Sequence, residues 1–435
     1  QVIGRISESE DTIKASNQQN EKEEGNMPFG KYSVDYEQRL DMDRMRAYRV
    51  SRTHQAMEQY EMDGFLTFNA DSIRYVTSAY VTTPMRPIEL QGAFISKTGD
   101  PYFFGGGTPS EERERMPWLK GNVFPSRGTA MPGTGTYDPV VEAWVDTCLN
   151  ILAEEGIPAK VIGIESSCMS YFVDAFARKG VKCVFARPMI MQARSIKNQD
   201  EINIMKLTCA NAEKAFARIQ QFIKPGVREC DIVGVGINAL YEEGCDHTED
   251  LVCMSGPHTY PYNWTFTDRM VRPGDLVYID VDGASYLGYK SCYYRTFSCG
   301  KTTPEQDECF DQCIEMMDKA LKVVKPGNTI YQMLDQFPDP SFWGRKTWNE
   351  VDALAMAHGL GLGLHELPHA TRTVQKVSQA PDITFQPGHV MAIETYAGSE
   401  KGGFGVRHED MFVVTEDGFE LISKWPRDHI TECFV

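Results

Sequence analysis

Across residues 42–190 the apolar positions switch between helical spacing and short continuous runs, the pattern of helices alternating with buried strands. This spacing predicts a helix over Met45–Glu61, then strands at Gly64–Phe68, Gly92–Ser96 and Pro101–Phe104. An apolar-periodic helix over Val140–Ala153 and a strand at Val161–Ile164 close the set. The result is an α/β domain with no evident catalytic cluster. Before it, residues 1 to about 28 are polar and charged, too poor in apolar side chains to build structure alone. They read as a tail or as an arm that orders against a partner subunit. The expected division is 1–40 as this tail or arm, 41–190 as the first domain and 191–435 as the second.

The second domain opens on a long helix. Asn198 is placed to cap it, with Glu201 three residues on completing a capping box. The helix runs to about Ile223 and stops at Lys224-Pro225-Gly226; a second helix follows over about Glu229–Glu243. The same punctuation, Val324-Lys325-Pro326-Gly327, recurs after a helix over about Asp307–Val323, which points to an internal duplication. Three later runs are strand-like and apolar: Leu276–Ile279, Val390–Ile393 and Met411–Val414.

Candidate chemistry clusters on these runs. Asp280 and Asp282 follow the first, Glu394 the second, and Glu409 precedes the third. A carboxylate beside an apolar run is costly to desolvate unless a cation or a donor meets it. Asp280 and Asp282 are two apart and share one face of a strand, where a divalent cation would relieve their repulsion. Gly288-Tyr289 implies a turn, so a return strand brings Cys292 near the pair. His358 is expected in a Gly-rich turn, His358-Gly-Leu-Gly-Leu-Gly-Leu-His365-Glu366, whose glycines let backbone and ligand approach closely. Six ligand-type side chains (Asp280, Asp282, Cys292, His358, Glu394 and Glu409) thus point to one shared metal site. Oxygen and imidazole donors with a thiolate suit Fe, Zn, Co or Mn, the thiolate favouring the first three.

The chain has 435 residues and a formal net charge of -17. That charge argues against nucleic acid and against anionic membrane surfaces, both of which need basic patches. No apolar run reaches transmembrane length. The twelve cysteines are scattered with no CxxC pair, which reads as free thiols in a reducing compartment and favours the cytoplasm. Cys309 and Cys313 share a helix face and read as packing residues. The chain begins with Gln, which leaves a removed leader open.

These residues resemble a known family. Over about residues 195 to 425 the chain is similar to the pita-bread fold shared by methionine aminopeptidases, aminopeptidase P, prolidase and creatinase. The resemblance rests on the ordered set Asp, metal position, His, Glu, Glu, and on Arg194-Ser195-Ile196-Lys197 entering a helix. It implies an α/β (α+β) architecture, with a creatinase-like N-terminal α/β domain before a pita-bread domain of pseudo-twofold repeat. The chain also resembles the pita-bread dimethylsulfoniopropionate (DMSP) lyases. It shares with them the Asp-x-Asp pair, the segment Ser255 to Pro261, and Phe404-Gly405-Val406-Arg407 ahead of the last ligand. Residue by residue, the family's ligands fall on Asp280, Asp282, Cys292, His358, Glu394 and Glu409.

Two departures bear on function. Cys292 stands where the family places a bridging Asp, so a carboxylate spanning two ions is lost. His365, the seventh residue after His358, follows the hydrolase pattern where the lyase has an Asp. The leading expectation is a metal-dependent hydrolase cleaving a C–N bond in a small polar or zwitterionic substrate, such as an Xaa-Pro dipeptide or a creatine-like compound. Glu394 would take a proton from water, and His365 and His258 would stabilise the oxyanion or donate to the leaving nitrogen. The alternative is a lyase that expels dimethyl sulfide or a similar onium group, with Trp264, Tyr260, Tyr262 and Tyr293 cradling the cation. Arg407 joins these as a substrate-binding candidate. One or two divalent ions are expected, or none if the site works like creatinase through a histidine. The resemblance also implies a homodimer.

Overall fold

Continuous apolar runs become largely buried strands in the first half of the chain. The computed structural model describes residues 40–81, 91–126, 137–165, 170–260, 264–351, 357–372, 382–399 and 402–435. Asp43–Val435 form one unit, and of Gln1–Met42 only the last three residues are described. The chain enters through α1 (Met42–Gln59), β1 (Gly64–Thr67), α2 (Ala70–Thr77), β2 (Gly92–Ser96) and β3 (Tyr102–Gly105). It continues through α3 (Pro109–Arg115), β4 (Val123–Pro125), α4 (Tyr137–Glu154), β5 (Val161–Ile164), α5 (Ser170–Arg178) and β6 (Lys182–Phe185). The strands form one six-stranded sheet in the order β4-β3-β2-β1-β5-β6. β1 runs antiparallel to β2 and parallel to β5, and both its faces are covered, which explains the unbroken apolar run. Trp144 of α4 stacks on Phe104 at 4.1 Å between ring centres and anchors this core with Phe94 and Phe172.

α6 (Arg187–Ser195) hands the chain to α7 (Gln199–Phe222). The expected capping box is present: Asn198 accepts from the Glu201 amide, and the Glu201 side chain accepts from the Asn198 amide at 2.8 Å. Then come α8 (Glu229–Glu242), β7 (Asp250–Ser255), β8 (Leu276–Tyr286) and β9 (Tyr289–Cys299). The second series is α9 (Pro304–Leu321), α10 (Ile330–Leu334), β10 (Ala357–Gly359), β11 (Glu366–Ala370), β12 (Val390–Ser399) and β13 (Phe404–Val414). Short strands β14 (Phe419–Leu421) and β15 (Thr431–Cys433) follow. Each series runs helix, helix, strand and long hairpin, with one added strand, β11, in the second. The sheets are β15-β9-β8-β7 and β11-β10-β12-β13-β14, and they meet where β9 packs on β13. α7 covers β8 and β9; α9 covers β12 and β13, with Cys309 and Cys313 buried in that core.

Two expectations change. Glu409 was expected ahead of a strand, yet it lies inside β13, because β12 and β13 pair from Val390↔Val413 to Ser399↔Phe404 and carry the ladder past the carboxylates. Glu394 and Glu409 are direct cross-strand partners as a result. His358 was expected in a Gly-rich turn, yet it sits in β10, paired with Ala392 and His369. Among the described residues no helix is long and apolar enough to cross a membrane.

Candidate metal centre

The centre lies where the two hairpins of the second half face one another. Asp280 and Asp282 project from β8, opposite Tyr294 and Cys292 of β9. The ladder jumps from Asp282↔Cys292 to Ala284↔Ser291, so Gly283 is the extra residue of a bulge, with φ +67°. Cys292 Sγ lies 3.1 Å from Asp282 Oδ1, 3.4 Å from Glu409 Oε1 and 3.7 Å from His358 Nε2. His358 Nε2 is 3.8 Å from Glu394 Oε1 and from Glu409 Oε1. The structure therefore brings Asp282, Cys292, His358, Glu394 and Glu409 into one cluster, and the fields of Asp280 and Asp282 act on Glu409 as well.

Electrostatics set this cluster apart. Burial pushes the Asp280 carboxyl well up, and the adjacent Asp282 adds to it. Burial likewise raises Asp282 and Glu409, the latter further through Glu394, Asp280 and Asp282. The Cys292 thiol is pushed well up by burial and then by the charge of Glu409. His358 is fully buried and falls to about 4 through desolvation. Its Nδ1 lies 3.1 Å from the Gly359 carbonyl, an acceptor, so Nδ1 carries the hydrogen and Nε2 offers its lone pair to the cluster. Among the described residues, Asp280 Oδ1 and Glu409 Oε2 are buried with no hydrogen-bond partner. Donor atoms of Cys292, His358 and Glu409 all lie within 4.8 Å of one another. A carboxylate, an imidazole nitrogen and a thiol within reach of one point, with further buried carboxylate oxygens beside them, are what a divalent cation needs, so the residues fit such an ion.

Around this cluster a polar frame orients the ligands. Tyr278 donates to Asp280 Oδ2. Tyr294 donates to Glu394 Oε2 at 3.0 Å, and Arg407 Nη2 donates to the same oxygen and to the Tyr294 hydroxyl, each at 2.9 Å. Arg407 thus reaches the site through Glu394. The glycines after His358 serve a different close approach from the one expected. A Cβ at Gly361 would lie 2.8 Å from Glu366 Oε2, and one at Gly363 would lie 2.7 Å from Arg194 Nη2. What crowds them is a buried ion group in which Glu366 accepts from Arg194 Nε at 2.9 Å, Lys197 Nζ at 3.2 Å and the Gly363 amide at 2.7 Å. It ties the entry of the second half to the loop carrying His365. The His365 ring stands 4.3 Å from that of His358 and opens to solvent on one side. The protein packed around it, and then His358, lower its pKa.

The remaining candidates divide. Tyr293 is not brought to the cluster: side chains alternate along β9, so Cys292 and Tyr294 face the site while Tyr293 packs edge-on against Phe216 of α7, 5.2 Å between ring centres. Tyr260 stacks on Tyr396 at 6.3 Å, two residues beyond Glu394. Trp264 is exposed, and Tyr262 lies outside the described residues. His258, a third exposed, lies with Nδ1 3.1 Å from Glu229 Oε1. The sequence reading missed Tyr278, Tyr294, Glu366 and Glu229. Period-two alternation from Asp280 and Cys292 reaches the two tyrosines; nothing local signals the two glutamates, whose partners are distant in sequence.

Comparison with known proteins places the chain in a family. The pattern of metallopeptidase family M24 matches residues 203–416, a span that holds every member of the cluster. An Xaa-Pro dipeptidase of Pyrococcus horikoshii is 30% identical over 281 residues, covering 64% of this chain and 76% of that protein. The dimethylsulfoniopropionate lyase DddP of Roseovarius nubinhibens is 23% identical over 415 residues, 92% of this chain and 91% of the lyase. The probable dipeptidase PepE of Mycobacterium tuberculosis, 28% identical, is matched over 58% of this chain and 64% of its own length. Among solved structures, the Xaa-Pro dipeptidase from Bacillus anthracis superposes with a TM-score of 0.70 at 23% identity, covering 89% of this chain and 99% of that one, a likeness of fold. The chain has the pita-bread fold and belongs to metallopeptidase family M24.

Proposed function

We propose that this chain is a metal-dependent hydrolase that cleaves a C–N bond in a small polar or zwitterionic substrate, of which an Xaa-Pro dipeptide is the first to try. The observation that carries this reading is His365: a neutral imidazole, open to solvent, beside the ligand-type His358. Asp280, Asp282, Cys292, His358, Glu394 and Glu409 would hold one or two divalent ions of Fe, Zn, Co or Mn. When bound, such an ion supplies Lewis acidity toward the scissile carbonyl and a more acidic water. Glu394 takes the proton of the attacking water on Oε1, since Oε2 is committed to Tyr294 and Arg407. Neutral His365 donates a hydrogen bond to the developing oxyanion. His258 takes up the proton that Glu394 removed from the water and passes it to the leaving nitrogen.

Support for a homodimer comes from the resemblance to two-domain relatives. Support for a cytoplasmic location comes from the described cysteines, all of which are free.

A second reading, DMSP lyase, is favoured by the match that runs nearly the length of both chains and by the Asp280–Asp282 pair. Elemental mass spectrometry on protein purified without chelators or oxygen comes first, followed by a metal-by-metal substrate panel. The hydrolase reading expects one or two equivalents of metal and release of proline from Xaa-Pro dipeptides. Headspace dimethyl sulfide from DMSP far above the buffer rate, with no dipeptide turnover, would replace it with the lyase.

A further inference from the structure

Glu229 opens α8 with a fully buried side chain, where the helix dipole favours negative charge. Four donors converge on its carboxylate. The Ser255 amide and hydroxyl reach Oε1 at 2.8 and 2.7 Å, and the Thr267 amide and hydroxyl reach Oε2 at 2.9 and 2.7 Å. Each hydroxyl has a single proton. Ser255 Oγ accepts from Arg269 Nη1 at 2.6 Å, and Thr267 Oγ1 accepts from the Arg269 amide at 3.1 Å. Both hydroxyl protons are therefore directed at Glu229, so all four of these contacts donate to the carboxylate.

The fifth group at this carboxylate is His258, with Nδ1 3.1 Å from Oε1. Opposite an oxygen that can only accept, Nδ1 must hold a hydrogen. Nε2 is then the ring nitrogen left to act, on a side chain one-third open to solvent. We propose that Glu229 is the positioning residue of His258, holding the ring in the Nδ1–H form so that Nε2 is the atom that exchanges a proton with substrate. The last clause rests on the role given to His258 under the hydrolase reading; the tautomer does not. A carboxylate that merely tied Ser255 to Thr267 would have no use for the imidazole, and the two roles separate by experiment.

The test uses the full chain with histidine-selective 15N labelling, the His258 signals being identified by their loss in His258→Gln. Wild-type protein is expected to show His258 protonated at Nδ1 and bare at Nε2 in its neutral form. The opposite tautomer overturns the proposal without any further variant. Glu229→Gln is expected to lose that preference and to lower kcat on an Xaa-Pro dipeptide by about 10²-fold with KM little changed. An unaltered tautomer and kcat in Glu229→Gln also overturns it. His258→Asn keeps a donor near the Nδ1 position but has no Nε2, so it should melt like wild type while losing turnover; full turnover in it rejects Nε2 as the acting atom. If wild type cleaves no Xaa-Pro dipeptide, the hydrolase reading fails by itself, and the tautomer measurement still decides the Glu229–His258 assignment.

Discussion

Two groups of buried carboxylates lie in the second half of this molecule, and they are electrostatic opposites. Glu366 sits between Arg194 and Lys197, all three almost wholly buried. Burial pushes its carboxyl up, but the two cations and the Gly363 amide more than reverse this and hold it at about 2. Asp280, Asp282 and Glu409 are as deeply buried but face one another, and their pKa values move the other way. The first group is complete with the chain's own residues and holds structure together. Among the described residues, the second has only Arg407 acting on it from beside Glu394, and a proton or an outside cation would balance the rest.

The largest test strikes the incomplete group. His358→Ala and Glu394→Gln should each lower turnover on the order of 10³-fold or more while leaving the melting transition nearly in place. Full activity in either variant would move the site elsewhere. The next strikes the complete group: Glu366→Gln strands two buried cations and should destabilise the fold by about 3–5 kcal/mol in denaturant titration. A loss below about 1 kcal/mol would mean the ion group is not the fastening described.

Acidity should pull the two groups in opposite directions. Glu366 is depressed in the fold, so its contribution is present above the ordinary carboxyl range, about 4.3, and is lost as pH falls through about 2. Asp280 and Glu409 are raised, so their contribution is present in acid and is lost as pH rises above the ordinary range. Metal-free protein should therefore weaken from about pH 4 upward, and Asp280→Asn or an added divalent ion should flatten that slope. A slope indifferent to both would break the contrast. The smallest effect is at the entry to α7, where Asn198→Ala removes the cap and should cost about 1 kcal/mol with no change in turnover.

The same contrast explains what the amino-acid sequence disclosed. Asn198 and Glu201 announce a helix start because a capping box is a local contact. Asp280, Asp282 and Cys292 could be placed together because a hairpin turns at Gly288 and strand side chains alternate. That alternation, applied strictly, also turns Tyr293 away from the site. Glu366 and Glu229 were not legible: Arg194 is 172 residues from Glu366, and Ser255 and Thr267 reach Glu229 only after β7 folds onto α8. The glycines after His358 were noticed for their missing side chains, but only the fold tells what fills the space.

Gly283 separates the register of the site from that of its hairpin tip. With φ +67° and a would-be Cβ only 2.7 Å from Glu249 Cβ, the position excludes larger residues. It also breaks the phase of the ladder, so that the outer turns of the hairpin from Ala284 to Ser291 keep their own count. Lengthening that tip by an even number of residues on each strand would leave Asp282 opposite Cys292, whereas deleting Gly283 would reset the numbering and rotate the outer strand by one face. The bulge thus sets the register of Asp282 and Cys292 apart from that of the tip, whose own buried residues are fastened elsewhere, Lys290 to Asp71 and Glu249 and Tyr289 to Glu201.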